Sequence, residues 1–117
     1  MDESRPIFLQ IAERIENDII AGTLGEETQA PSTNEIAAFY RINPATALKG
    51  VNLLVDAGIL YKKRGIGMFV ATGAQQRLIA ARRERFGTEY VRPLLDEASK
   101  LGIGSRELAD MIRKEGA

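Results

Sequence analysis

Residues Tyr61–Val70 read YKKRGIGMFV, with three cations, Lys62, Lys63 and Arg64, directly before Gly65 and Gly67. Ammonium and guanidinium groups donate charge-assisted hydrogen bonds, and phosphate is a natural acceptor for them. Glycine lets backbone approach such an acceptor closely and adopts the positive φ of a tight turn. A wet turn carries the same charges with no partner at all. The choice between the two therefore rests on what surrounds the run.

A second set of polar residues lies just upstream, in NPATALKGVNLLVDAG. Asn43 is a predicted N-cap with Pro44 at the first helical position, and Gly58 stands where a left-handed stop is wanted. Ala47, Val51, Leu54 and Val55 form the apolar face, while Ala45, Thr46, Lys49 and Asn52 occupy the other. Thr46 and Lys49 are one turn apart near the helix start, where partial positive charge and free N–H groups suit phosphate. In a major groove, Thr46 offers a hydroxyl and a methyl, and Lys49 reaches guanine acceptors or phosphate. A solvated face with an ordinary cap explains this helix equally well when it is taken alone.

The elements that position these groups follow from the pattern of the chain. PIFLQIAERIENDIIAG spaces Phe8, Ile11, Ala12, Ile15, Ile19 and Ile20 as one helical stripe, with Pro6 in the first turn and Gly22 at the stop. TLGEETQAP reads as a turn-rich connection. Ser32 and Glu35 form a capping box, which predicts a short helix from Thr33 to about Tyr40 burying Ile36, Ala37 and Tyr40. That helix start carries Ser32, Thr33 and Asn34, where the first helix of a helix-turn-helix crosses a phosphate backbone. Ser32 itself reads mainly as a cap, with neighbouring N–H groups left for phosphate. Two helices joined by about three residues, then strand, glycine turn and strand, make a helix-turn-helix followed by a wing. In the wing, Lys62 and Lys63 point to opposite faces and Arg64 lies nearest the tip.

Beyond Gly73 the spacing of Ile79, Phe86, Tyr90, Leu94, Ala98 and Leu101 predicts helix, which Pro93 should kink or split. Ser105 is the expected cap of a last helix carrying Leu108, Met111 and Ile112. Roughly 45 residues is close to the least that can build a core alone, so a partner subunit is expected to cover these stripes. The expected organisation is mainly α with a small β-hairpin: residues 1–73 a winged helix-turn-helix DNA-binding domain, residues 74–117 a helical dimerisation region.

Composition narrows the chemistry. The 117 residues contain no cysteine and no histidine, and 16 basic residues balance 16 acidic ones. Disulfides are excluded, and the commonest general base and metal ligand is missing. There is no Ser-His or Cys-His pair and no Walker sequence, and GIG is only a fragment of a dinucleotide fingerprint. An enzyme, a metal site and a bound cofactor are therefore not expected. The opening MDESRPIFLQ has neither the basic start nor the apolar run of a signal peptide, and no stretch is long and apolar enough for a membrane span, so a cytoplasmic location is expected. Zero net charge hides a polarised distribution. From Arg41 to Arg64 five cations face Asp56 alone, a sum of +4, while seven acids precede residue 30.

The span APSTNEIAAFYRINPATALKGVNLLVDAGILYKKRGIGMFV resembles the winged helix-turn-helix domain of GntR-type bacterial transcription regulators. Its matching positions are Pro31, Ser32, Glu35, Ile36, Ala37, Thr46, Leu54–Gly58, Arg64, Gly65, Gly67, Phe69 and Val70. INPATALK, RPIFLQIAERI and the short helical tail are similar to the YtrA-like subfamily. The resemblance implies a homodimer gripping a pseudo-palindromic DNA operator, usually as a repressor, with Thr46, Lys49, Arg64 and Gly65 in contact. The chain departs from the family pattern at Asn34, where arginine is common, and at Ile66, where a cation is common. The expected site comprises Ser32, Thr33, Asn34, Asn43, Ala45, Thr46, Lys49, Lys62, Arg64, Gly65 and Gly67, on double-stranded DNA, with any small-molecule effector unidentified. A winged-helix module that binds protein instead of DNA is the alternative, and scarce surface aromatics argue against RNA.

Overall fold

The computed structural model describes residues 2–117. Helix α1 (Ile7–Ala21) buries Ile11, Ala12, Ile15 and Ile19, the stripe its sequence spacing predicts. Pro6 stands one position earlier than expected, as the N-cap, with its carbonyl accepting from the N–H groups of Leu9 and Gln10. Helix α2 (Thr33–Tyr40) begins and ends where the sequence indicates, and both halves of the Ser32–Glu35 capping box form. It buries Ile36 and Ala37, whereas Tyr40 stays half-buried with its ring edge-on to Phe39.

Helix α3 (Pro44–Asp56) packs on α1 and α2 and buries Ala47, Gly50, Val51 and Leu54. Val55 is half-buried rather than a core residue. Helices α1 and α3 approach so closely at Gly50 that a Cβ there would lie 2.7 Å from the Phe8 carbonyl oxygen and 3.1 Å from Ile11. Strands β1 (Leu60–Lys63) and β2 (Gly67–Val70) pair antiparallel, with Leu60 opposite Val70 and Lys63 opposite Gly67.

The stretch expected as a turn-rich connection contributes more than a turn. Residues 27–30 run antiparallel along β2, with Ala30 N–H donating to the Met68 carbonyl at 2.8 Å and Val70 N–H to that of Thr28 at 3.0 Å. Their run is too short and too polar to show strand alternation in the sequence. One core unites these elements: Ile11, Ile19, Val51, Leu60 and Val70 are its most enclosed large side chains.

Helix α4 (Ala74–Phe86) supplies Ala74 and Leu78 to that core, so the first compact unit runs to Ile79, past the residue-73 boundary read from the sequence. The second unit spans Ala80–Ala117. In it a π-helical turn, Gly87–Val91, precedes α5 (Arg92–Lys100), and Pro93 sits in the first turn of α5. Proline lacks an N–H and crowds the turn before it, and the wider π turn accommodates both. Helix α6 (Ser105–Gly116) has Gly104 at its N-cap; Ser105 is its first residue and makes no capping bond, contrary to the sequence expectation. The second unit buries Ala98 and Leu108 and exposes the remainder of its predicted stripes.

Candidate nucleic-acid interface

Antiparallel pairing sorts the wing residues between two faces. Leu60, Lys62, Met68 and Val70 share one face, and Leu60 and Val70 are buried in the core. Tyr61, Lys63 and Phe69 share the other, where the Lys63 ammonium sits 4.2 Å from the Phe69 ring centroid. The two adjacent lysines thus serve different surroundings. Lys62 lines a groove of about 300 Å³ whose walls include Ser32 and Thr33 of α2, Leu48 and Asn52 of α3, and Gln29, Ile66 and Gly67.

The helix starts differ in what they leave for an anion. At α2, Ser32 Oγ accepts the Glu35 N–H at 3.0 Å, and the Glu35 carboxylate accepts the Ser32 N–H at 3.1 Å. Those bonds hold the Glu35 carboxyl below the usual glutamate range, the Ser32 backbone N–H foremost. A cap of this kind leaves the first N–H groups of the helix, those of Thr33 and Asn34, for an outside acceptor. Asn34 is exposed there.

At α3 the expectation of free N–H groups is not met. Pro44 has none, Asn43 Oδ1 accepts that of Ala45 at 2.8 Å, and the Asn43 carbonyl accepts those of Thr46 and Ala47 at 3.0 and 3.1 Å. The cap that makes this helix start so definite also consumes its donors. Contacts from this end must therefore come from side chains.

Those side chains occupy distinct places. Ala45 is exposed and Thr46 half-buried. Lys49 is exposed, and its ammonium lies over the Phe8 ring of α1, 4.1 Å from the centroid. Arg64 and Gly65 form the exposed tip, where Gly65 takes φ 78° and Ile66 N–H closes the turn on the Lys63 carbonyl at 3.0 Å. Gly67 has φ 141°, and a Cβ there would sit 2.6 Å from Gln29 Nε2. Ser32, Thr33, Lys62 and Gly67 thus meet around one groove, whereas Lys49 and Thr46 belong to parts of α3 that do not line it.

Sequence reading overlooked three residues that brace this surface. Gln29 and Glu27 sat in a segment read as a turn. Glu27, at φ 61°, accepts from the Tyr61 hydroxyl, from Thr72 N–H at 3.0 Å and from Thr72 Oγ1 at 2.6 Å. The Thr72 hydroxyl, and after it that of Tyr61, hold the Glu27 pKa below the ordinary glutamate value, and the bond to Glu27 raises the pKa of Tyr61. Arg77 of α4 donates to the carbonyls of Ala57 and Gly58 at 2.6 and 3.0 Å, closing the C-terminal end of α3. A basic residue is favourable at such an end, but nothing local in the sequence links Arg77 to it.

The fold and the sequence agree on a lineage. Residues 8–70 match the family described as bacterial regulatory proteins, gntR family. The chain belongs to the GntR family. The HTH-type transcriptional repressor YtrA of Bacillus subtilis is 25% identical over 97% of this chain and 87% of its own. A putative GntR-family regulator from Bacteroides thetaiotaomicron is 37% identical, with a TM-score of 0.73 over 92% of this chain and 94% of that one. The DNA-binding domain of AraR, solved in complex with operator ORR3, is 31% identical, with a TM-score of 0.53 over 55% of this chain and 77% of that one. The chain is accordingly a GntR-type transcriptional regulator built on a winged helix-turn-helix, and its family and relatives are regulators rather than enzymes. Among the described residues no helix is long and apolar enough to cross a membrane.

Proposed function

We propose that the chain is a cytoplasmic repressor that binds a pseudo-palindromic operator sequence-specifically as a homodimer. The observation that carries the reading is the groove in which Lys62 of the wing, the α2 start and Asn52 of α3 face one another. A basic side chain and open helix N–H groups on one concave surface fit a phosphate-lined duplex edge. Arg64 and Gly65 extend that surface as the tip of the wing, and Asn43, Ala45, Thr46 and Lys49 carry α3 into the major groove. The AraR DNA-binding domain, to which 55% of this chain is similar, was crystallised on its operator.

Lys49 must leave the Phe8 ring to reach a base. An exposed cation–π contact is worth about 0.5–1 kcal/mol, which one good base contact of about 1–3 kcal/mol exceeds. Dimerisation is assigned to the second unit. Phe86, Tyr90, Leu94, Leu95 and Leu101 are 43–65% exposed there, an apolar surface that a second copy would cover. Phe86 and Tyr90 already stack, with centroids 5.3 Å apart.

Selection of bound duplexes from a random pool tests the reading directly and should return half-sites about 10 base pairs or somewhat more apart. With roughly six to eight phosphate contacts per dimer, affinity should fall about a thousandfold or more between 50 and 200 mM salt. A flat salt titration, or a pool that returns no enriched sequence, refutes it.

A further inference from the structure

Gly67 has an explanation besides closeness to DNA, and it leads to Gln29. The Gln29 side-chain amide donates from Nε2 to the Ile66 carbonyl at 3.0 Å, joining residues 37 positions apart. Its backbone segment already pairs with β2, so the amide starts from a fixed base. Any Cβ on residue 67 would press on that amide at 2.6 Å, and φ 141° disfavours one in any case. Within the hairpin, the tip is closed by the bond from Ile66 N–H to the Lys63 carbonyl. The Gln29 bond ties it to a segment outside the hairpin.

A hairpin of two four-residue strands with two glycines at its turn holds its own tip weakly. Ordering such a tip on binding would cost affinity, and an anchor formed beforehand reduces that cost. Gln29 lines the same groove as Lys62, Asn52 and Thr33, which puts the anchor beside the surface it would set.

We propose that Gln29 is a positioning residue for the wing: its amide holds the Ile66 carbonyl, fixes the tip over the groove, and thereby presents Arg64 to a duplex. The statement rests on the DNA-binding reading above. Gly67 then acts by leaving room for the amide.

The test uses the full chain with Gln29→Met, similar in length but without a donor, and Gln29→Leu, an uncharged side chain that likewise cannot donate to a carbonyl. Gln29 is exposed, so both variants should melt close to the unmodified chain. On a duplex selected from random DNA, each should bind roughly three- to tenfold more weakly, the weight of one hydrogen bond. In an Arg64→Ala background that further loss should vanish, because the contact being positioned is gone. Amide relaxation measured without DNA should show Gly65 and Ile66 becoming more mobile in both variants. Losses that simply add to that of Arg64→Ala, or a tip that stays as rigid as before, overturn the proposal. If the unmodified chain selects no duplex, the DNA-binding reading fails, and the relaxation measurement still decides whether Gln29 anchors the tip.

Discussion

Replacing Gly50 by alanine sets two effects against each other inside α3. Alanine in a helix interior is favoured over glycine by about 1 kcal/mol through backbone entropy. Against that, the new methyl would lie 2.7 Å from the Phe8 carbonyl oxygen and 3.1 Å from two Ile11 carbons. The Ile11 side chain is 1% exposed and has no space to retreat into. The Phe8 oxygen is backbone within α1 and cannot rotate aside, so α1 as a whole must withdraw by several tenths of an ångström. Overpacking costs about 1–3 kcal/mol, and against a backbone atom that cannot rotate aside the upper part of that range, about 2–3 kcal/mol, applies. The expected net loss is about 1–2 kcal/mol, a fall in melting temperature of roughly 4–15 °C for a unit this size. Thermal and urea unfolding followed by circular dichroism measure it. DNA affinity should fall too, since α3 is seated on α1. A Gly50→Ala chain as stable as the unmodified one, or more stable, would show that α1 and α3 are not in the close contact described.

The Glu27 carboxylate is lower in pKa than an ordinary glutamate, so its bonds to Thr72 and Tyr61 contribute stability that is complete above the usual glutamate range and is lost as pH falls below it. Glu27→Gln should therefore lower stability most above pH ~6 and flatten the acid limb, the two chains converging in stability as pH falls below the glutamate range; an acid limb of unaltered steepness contradicts that role. Arg77→Met removes two donors from the end of α3 and should lower stability by roughly 1–2 kcal/mol in urea unfolding. Lys62→Ala should reduce the slope of log affinity against log salt by about one per wing, whereas Lys63→Ala, on the opposite face, should change it less. Leu94→Glu in the second unit should convert a dimer to monomer in sedimentation at micromolar concentration; an unchanged sedimentation coefficient removes dimerisation from that unit.

Legibility in the sequence followed the range of the physics. Local rules carry helix ends well: the capping box at Ser32, Asn43 with Pro44, and the glycines after α1 and α3 all satisfy backbone groups within a few residues. The wing was legible for the same reason, since glycines flanking a short run of cations between apolar strands leave few alternatives. What escaped depends on partners dozens of positions away. Gln29 is defined by Ile66, Glu27 by Tyr61 and Thr72, and Arg77 by the end of α3, and none has a local pattern that reveals its partner.

One misreading was physical rather than positional, and one correct placement had an unforeseen neighbour. The strong cap at Asn43 promised an anion-binding helix start, yet capping and anion binding compete for the same N–H groups, and the cap has taken them. Lys49 was assigned outward from its spacing, and it does lie outside the core, but an aromatic ring on α1 meets it there. If the chain grips DNA as proposed, both features shift the burden of phosphate binding from the start of α3 toward the α2 start and the wing. That makes the position of the wing, and hence the segment from Glu27 to Ala30 that braces it, a stronger determinant of affinity than helix-dipole reasoning at α3 alone would assign.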